Sequence, residues 1–88
     1  MLIRVEYSIG ADAMDMRHCK EWTKIGLNIL YYRKEQRLTQ EDLAAACDKN
    51  RTFIQRIETG VSSCSLDTLI DIAEALDIPL YKLFSFKD

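Results

Sequence analysis

Two short stretches decide the fold of this chain: TQEDLA at residues 39–44 and TFIQRIETG at residues 52–60. Apolar residues in and beside both stretches recur three or four positions apart, the spacing that gathers side chains on one side of an α-helix. The three residues 48–50 between them are polar. The sequence therefore predicts two short helices, over residues 40–47 and 51–58, joined by a tight turn.

Helix boundaries are marked by residues with suitable capping chemistry. Thr39 can cap the first of these helices, and Asp42, three residues later, partly completes a capping box. Asn50 and Ser65 are equally good caps for the second helix and for a later one. Gly60 is the expected left-handed stop.

A longer helix is predicted before this pair, over about residues 17–36. Ile25, Ile29 and Tyr32 form a stripe at helical spacing. Further apolar residues lie off the stripe, namely Leu27, Leu30 and Tyr31. A helix that is apolar nearly all round is covered on more than one side. Either the N-terminal segment or a second protomer would supply that cover.

The remainder of the chain predicts two more helices. An apolar face follows Ser65, and Pro79 then breaks the chain and starts a short fifth helix over residues 80–84. We therefore expect an all-α, five-helix domain over residues 23–88. An N-terminal extension, residues 1–22, contains the start of the first helix.

The extension begins with a strand pattern. Apolar and polar residues alternate over residues 2–9, and Gly10 closes the run. The rest of the chain offers this strand no predicted partner. It would therefore pair with the same strand of another protomer, or else be disordered.

Composition excludes several classes of protein. A chain of 88 residues forms one domain, and no apolar run approaches the ~18 residues of a membrane span. Residues 1–10 lack the features of a signal peptide, so we expect a cytoplasmic protein. Three cysteines and one histidine give no zinc spacing, and free thiols are expected. With no nucleophile triad or phosphate loop, we expect no enzyme, cofactor, metal or small-molecule ligand.

Charge is distributed unevenly. The net charge of −2 looks unsuitable for a partner of nucleic acid. However, residues 23–60 hold seven basic and five acidic side chains, a balance of +2, whereas the flanking segments are negative. Distribution matters more than the total for a charged partner. The central segment is thus the candidate for contact with phosphates.

The outer side of the helix predicted over 51–58 is polar and basic. It carries Arg51, Thr52, Gln55 and Arg56, with Asn50 just before it. A helix that lies in the major groove needs such side chains, because arginine pairs with guanine and threonine contacts thymine or donates a hydrogen bond. The sequence therefore predicts contact with double-stranded DNA.

Taken together, residues 25–84 resemble the phage-repressor-like helix-turn-helix family, also called the XRE or Cro/repressor family. The resemblance is carried by Ile25-Gly26, Arg33, Leu38-Thr39-Gln40-Glu41-Asp42-Leu43-Ala44, Ile54, Ile57-Glu58, Gly60, Ser65-Leu66-Asp67-Thr68-Leu69, Ile72-Ala73-Glu74-Ala75-Leu76 and Leu83-Phe84. It implies that Gln40 contacts DNA phosphate, that Arg51 and Thr52 read bases, and that Glu58 is tied to Arg33 as a structural ion pair.

A narrower resemblance points to the controller proteins of restriction–modification systems. It rests on Arg51-Thr52-Phe53-Ile54 followed by Ile57-Glu58. Ser62 departs from it, since those controllers often have arginine there, and so does the long extension. Two residues of the turn depart from the wider family: Asp48 replaces glycine and Lys49 an apolar residue. Aspartate tolerates a left-handed backbone, whereas Lys49 should lose some packing.

Each candidate residue has an alternative role. Gln40 would otherwise be a surface glutamine, and Arg51 and Thr52 a solvated helix face. Arg56 could read a base or hold a phosphate, or it could pair with Glu58 or a neighbouring acidic residue. Gln55 is a weaker candidate, and Asn50 could be only an N-cap.

The last predicted helix and the residues after it are apolar, through Leu80, Tyr81, Phe84 and Phe86. They either cap the core or form, with the fourth helix, a homodimer surface. A two-fold dimer would set two recognition helices about 34 Å apart, one turn of DNA.

Two functions fit these features. The first is a homodimeric transcription regulator on an inverted-repeat operator, a phage-type repressor or a restriction–modification controller. The alternative is an antitoxin or protein-interaction module that binds a partner through the N-terminal extension. The operator sequence and the direction of regulation do not follow from the sequence.

Overall fold

The computed structural model describes residues 17–86. The predicted strand over residues 2–9 lies outside these residues. The described part is all-helical, which confirms the predicted fold class. No helix within it is both long and apolar enough to cross a membrane.

Four α-helices and one 3₁₀ helix follow one another within residues 17–86. They are α1 (Cys19–Glu35), α2 (Gln40–Ala46), α3 (Arg51–Glu58), α4 (Leu66–Ala75) and the 3₁₀ helix (Leu80–Phe84). The first four match the predicted helices to within two residues at the boundaries that were predicted. The fifth element is a 3₁₀ helix, with an i→i+3 bond from Lys82 N to Pro79 O of 3.1 Å.

The N-terminal caps form as the sequence predicts. The Thr39 hydroxyl accepts the Asp42 N–H at 2.9 Å, and the Asp42 carboxylate accepts the Thr39 N–H at 2.9 Å. Hydrogen bonding of the Asp42 carboxyl to the Thr39 backbone N–H, and to a smaller extent to the Thr39 side chain, lowers the pKa of Asp42. Asn50 caps α3 and Ser65 caps α4 in the same way. The start of each of these helices is therefore encoded within three residues.

All four α-helices end in the same C-terminal arrangement. At the end of α2, Lys49 N donates to Ala44 O at 2.8 Å and Asp48 N donates to Ala45 O at 3.3 Å. This pair of bonds is the Schellman motif, whose pivot residue has a left-handed backbone. The four pivots are Arg37, Asp48, Gly60 and Asp77, with φ between 58° and 78°. Only one of the four pivots is the glycine that this conformation favours.

The core lies between the helices and is built from aliphatic side chains. Its fully buried members are Ile29, Leu43, Ile54, Ile57, Ile72, Leu76 and Leu83. Gly26 lets α1 cross the end of α3 closely, because an added Cβ there would collide with Ile57 O and lie 2.9 Å from Glu58 O. The contact between α1 and α3 thus depends on the absence of a side chain.

The outer face of α1 is exposed among the described residues. Leu27 and Tyr31 are 54% and 58% exposed, so no described residue buries them. The N-terminal segment that was one candidate for the cover lies outside the described residues. All three cysteines are free. Burial raises the pKa of the Cys64 thiol to about 11.

A buried ion pair joins α1, the loop after it, and α3. Arg33 Nε donates to Glu58 Oε2 at 2.6 Å, and Nη2 donates to Oε1 at 3.0 Å. The third guanidinium nitrogen, Nη1, donates to Leu38 O at 2.7 Å. Both charged residues are buried, with 7% and 5% of their surface exposed. The arginine is therefore fully engaged in the interior.

We expect Arg33→Met to destabilise the protein by about 3–5 kcal/mol, because removing one member of a buried ion pair leaves an uncompensated charge. The free energy of unfolding is measured by urea titration followed by circular dichroism. Lys34→Met, at the neighbouring exposed position, should change it by less than about 0.5 kcal/mol. A double variant, Arg33→Met with Glu58→Leu, should regain much of the loss. Equal stability of the two single variants would contradict the role given to the pair.

We expect Asp48→Gly to stabilise the protein by about 0.5–1 kcal/mol, because glycine has no Cβ to strain in a left-handed backbone. The matched control is Asp71→Gly on the exposed side of α4, where the backbone is helical. There the same change should lower the free energy of unfolding by about a few tenths of a kcal/mol. Thermal and urea unfolding measure both variants, and a loss of stability in Asp48→Gly would refute the strain at the turn.

Candidate nucleic-acid interface

Helix α3 has one buried side and one polar side. Ile54 and Ile57 are fully buried, and Glu58 is 5% exposed. On the opposite side Thr52 is exposed, and Arg51 is exposed at the start of the helix. Gln55 is exposed on the opposite side as well. The buried side fixes how far the helix is rotated, so these three polar side chains face solvent together.

Hydrogen bonds from the flanking residues cap both ends of α3. Asn50 Oδ1 accepts the Phe53 N–H at 2.8 Å, which caps the helix. At the other end, Val61 N donates to Arg56 O and Gly60 N donates to Ile57 O, each at 3.1 Å. Asn50 is itself exposed, so its cap leaves it at the edge of the polar face.

Arg56 lies on the same side as Thr52, but it is half-buried. Its Nε donates to the hydroxyl of Ser62, at 3.2 Å. The alternative ion pair between Arg56 and Glu58 is wrong: within residues 17–86 the Glu58 carboxylate is occupied by Arg33 and Gln40. Arg56 is thus oriented by the loop that follows α3.

Gln40, the first residue of α2, is tied to the buried ion pair. Its Nε2 donates to Glu58 Oε1 at 3.0 Å. That oxygen also accepts from Arg33 Nη2. The half-buried Gln40 is therefore not a freely rotating surface side chain. Its second Nε2 N–H and its amide oxygen are left to meet a partner.

A shallow open concavity brings Gln40 and Arg51 together with two basic residues from the end of α1. These are Lys34, in its last turn, and Arg37, the left-handed pivot after it. The full lining is Arg33, Lys34, Arg37, Leu38, Thr39, Gln40, Glu41 and Arg51. Lys34 and Arg37 were given no site role from sequence. Their signal was only their share in the positive charge of the central segment.

The turn between α2 and α3 keeps its geometry despite the two departures from the family pattern. Asp48 takes the left-handed backbone, with φ of 60°. Lys49 is exposed, and its Nζ lies 5.1 Å from the centre of the Phe53 ring. A cation–π contact of this kind contributes about 0.5–1 kcal/mol at exposed sites. It partly replaces the apolar contact that lysine cannot make.

The apolar residues near the 3₁₀ helix fall into two groups. Leu80 and Phe86 are half-buried and pack against the core of their own chain. Tyr81 and Phe84 are 66% and 41% exposed. Asn28 of α1 holds this segment through its side-chain N–H, which donates to the backbone carbonyls of residues 83 and 85. Only the exposed pair is free to contact another molecule.

Comparisons with known proteins agree with this geometry. The helix-turn-helix family designated HTH_3 matches residues 29–83. Control protein C.BamHI of Bacillus amyloliquefaciens is 41% identical over 49 residues, which are 56% of this chain and 60% of that protein. The chain thus spans less than two thirds of that relative's length.

Solved structures of controller proteins have the same fold. The restriction–modification controller C.AhdI of Aeromonas hydrophila superposes with a TM-score of 0.72 at 31% identity, over 74% of this chain and 98% of that one. The controller C.Esp1396I gives a TM-score of 0.66 at 30% identity, over 72% and 82%. The chain therefore belongs to the XRE-type helix-turn-helix family, whose members are DNA-binding transcription regulators and not enzymes, and it is a relative of the restriction–modification controller proteins.

Proposed function

We propose that this protein is a cytoplasmic homodimer that binds an inverted-repeat operator and controls the genes of a restriction–modification system. The observation that carries the proposal is the exposed polar face of α3, on a helix whose opposite side is locked by Ile54, Ile57 and Glu58. A rigid helix with such a face matches the major groove in width and chemistry.

Base reading is assigned to the first turn of α3. Arg51 and Thr52 are exposed at the helix start, which is the end that meets base edges in helix-turn-helix proteins. Arginine can pair with guanine O6 and N7 through two hydrogen bonds. Gln55 is exposed one turn later and offers an amide to the neighbouring base pair.

Contacts with phosphates are assigned to the concavity beside α3. Lys34, Arg37 and Gln40 line it together with Arg51. Two of the four sit on α1 or just after it, so the positive surface extends beyond the reading helix. Phosphate contacts set the register and orientation of a protein on DNA, whereas base contacts supply specificity. Asn50, exposed at the cap, is the remaining candidate for a phosphate contact.

The dimer surface is assigned to Tyr81 and Phe84 of the 3₁₀ helix, with Leu66 of α4. These three are among the large apolar side chains that the described residues leave exposed, at 66%, 41% and 57%. A two-fold axis through this surface would present two copies of α3 to successive major grooves about 34 Å apart. Half-site spacing in the operator follows from that geometry.

A second candidate function is a protein-interaction module such as an antitoxin. The observation in its favour is the outer face of α1, where Leu27 and Tyr31 are exposed beside Leu30. Co-purification of a stoichiometric partner, lost in Tyr31→Glu, supports this function. Operator binding at full strength without such a partner argues against it.

We expect Arg51→Ala to reduce the preference for the operator over random DNA. The ratio of affinities for the DNA upstream of its own gene and for random DNA should fall roughly 5- to 150-fold for each half-site, because a bidentate arginine–guanine pair contributes about 1–3 kcal/mol of discrimination. Dissociation constants are measured by fluorescence anisotropy across a salt series.

The matched control for Arg51→Ala is Lys34→Ala. It should weaken binding to both DNAs alike and reduce the slope of log K against log salt by about 2, as expected when each protomer of the dimer loses one phosphate contact. Equal, weak binding of wild type to all sequences would overturn the proposed function. A uniform loss in Arg51→Ala would instead make Arg51 a phosphate contact.

We expect Tyr81→Glu to dissociate the dimer, raising its dissociation constant at least roughly tenfold, because an unpaired carboxylate is costly to bury in an interface. Sedimentation equilibrium measures the change. The matched control is Tyr31→Glu, an exposed tyrosine on α1. If Tyr31→Glu dissociates the dimer and Tyr81→Glu does not, the interface lies on α1 and the proposed dimer is wrong.

A further inference from the structure

A contact between Arg56 and Ser62 links the polar face of α3 to the loop that follows it. Arg56 Nε donates to Ser62 Oγ at 3.2 Å. Among residues 17–86, this is the one hydrogen bond that the Arg56 guanidinium makes. Its terminal nitrogens, Nη1 and Nη2, have no hydrogen-bond partner among residues 17–86.

The position of Ser62 is set by backbone that has little freedom. Gly60 has a φ of +78°, and a Cβ there would lie 2.6 Å from Thr23 Oγ1. The next residue, Val61, donates its N–H to Arg56 O at 3.1 Å. The turn is therefore held against both α1 and the last turn of α3. The turn thereby places the Ser62 hydroxyl next to the Arg56 side chain.

This bond restricts the arginine while leaving its recognition atoms available. A free arginine loses side-chain entropy when it binds, a cost of about 0.5–1.5 kcal/mol for a side chain with many rotamers. Anchoring Nε removes part of that freedom before DNA arrives. The two terminal nitrogens can still donate in parallel to guanine O6 and N7.

We infer that Ser62 is a positioning residue that orients Arg56 toward one base pair of the operator, and so determines specificity there without reading a base itself. The inference rests on the proposed function and deepens it. It makes Arg56 a base-reading residue and adds a residue outside α3 to the specificity machinery.

The test compares Ser62→Ala, Ser62→Thr, Arg56→Ala and the double Ser62→Ala/Arg56→Ala variant. Each is titrated with the operator and with a set of operators that carry single base-pair changes across one half-site. Circular dichroism and thermal unfolding check that all four variants keep the wild-type fold.

We expect Arg56→Ala to erase discrimination at one base pair. Ser62→Ala should reduce discrimination at the same base pair by about 2- to 10-fold, which is the pre-organisation of one arginine expressed as affinity. Ser62→Thr keeps the hydroxyl and should restore it. The double variant should match Arg56→Ala, because the two residues act through one contact.

Four results would overturn the inference. Discrimination unchanged in Ser62→Ala would mean that Arg56 does not need its anchor. Effects of the two single variants at different base pairs, or additive effects in the double variant, would mean that Ser62 acts on DNA directly. If wild type shows no operator preference, the proposed function fails and the inference fails with it, which the wild-type titration alone reveals.

Discussion

The Arg33–Glu58 ion pair is the constraint on which the arrangement of α1, α2 and α3 depends. All three guanidinium nitrogens of Arg33 donate within the interior, two to Glu58 and one to the carbonyl of Leu38. Burying two charges is costly unless each finds its partners with good geometry. A slip of α3 along α1 would leave both charges unpaired. The pair therefore selects one register for the helices.

That register is transmitted to the DNA-facing side by two further contacts. Gln40 also donates to the Glu58 carboxylate, and this hydrogen bond holds the start of α2 against the end of α3. Gly26 permits α1 to lie directly on the backbone at residues 57 and 58. Because successive residues of a helix are 100° apart, an α3 with Ile54 and Ile57 held inward turns Thr52 and Gln55 outward, and Arg51 is exposed at the start of the helix. The contacts that hold the helices together therefore also set the orientation of the proposed DNA-reading side of α3.

Contacts within three or four residues could be predicted from local chemistry, and the family resemblance implied the distant Arg33–Glu58 pair, but other contacts across the chain could not be predicted. The caps at Thr39 and Asn50 follow from local chemistry, as does the left-handed Gly60. The hydrogen bond between Arg56 and Ser62 does not follow from local chemistry, because Ser62 reaches Arg56 only through the turn after α3. Periodicity marked Leu80 and Phe86 as apolar, but a pattern cannot tell a side chain that fills its own core from one that meets a second protomer.

On the proposed function, the charge distribution makes dimerisation a condition for useful affinity. Each protomer presents four basic side chains near the proposed interface, namely Lys34, Arg37, Arg51 and Arg56. Each phosphate that one of them neutralises contributes about 0.9 to the slope of log K against log salt. One protomer therefore gains little from counterion release, whereas two linked protomers add their contacts. Acidic side chains are concentrated after residue 61, where five oppose two basic ones, and they disfavour non-specific binding. Occupancy of an operator by such a dimer rises steeply with protein concentration, because dimerisation and DNA binding are coupled.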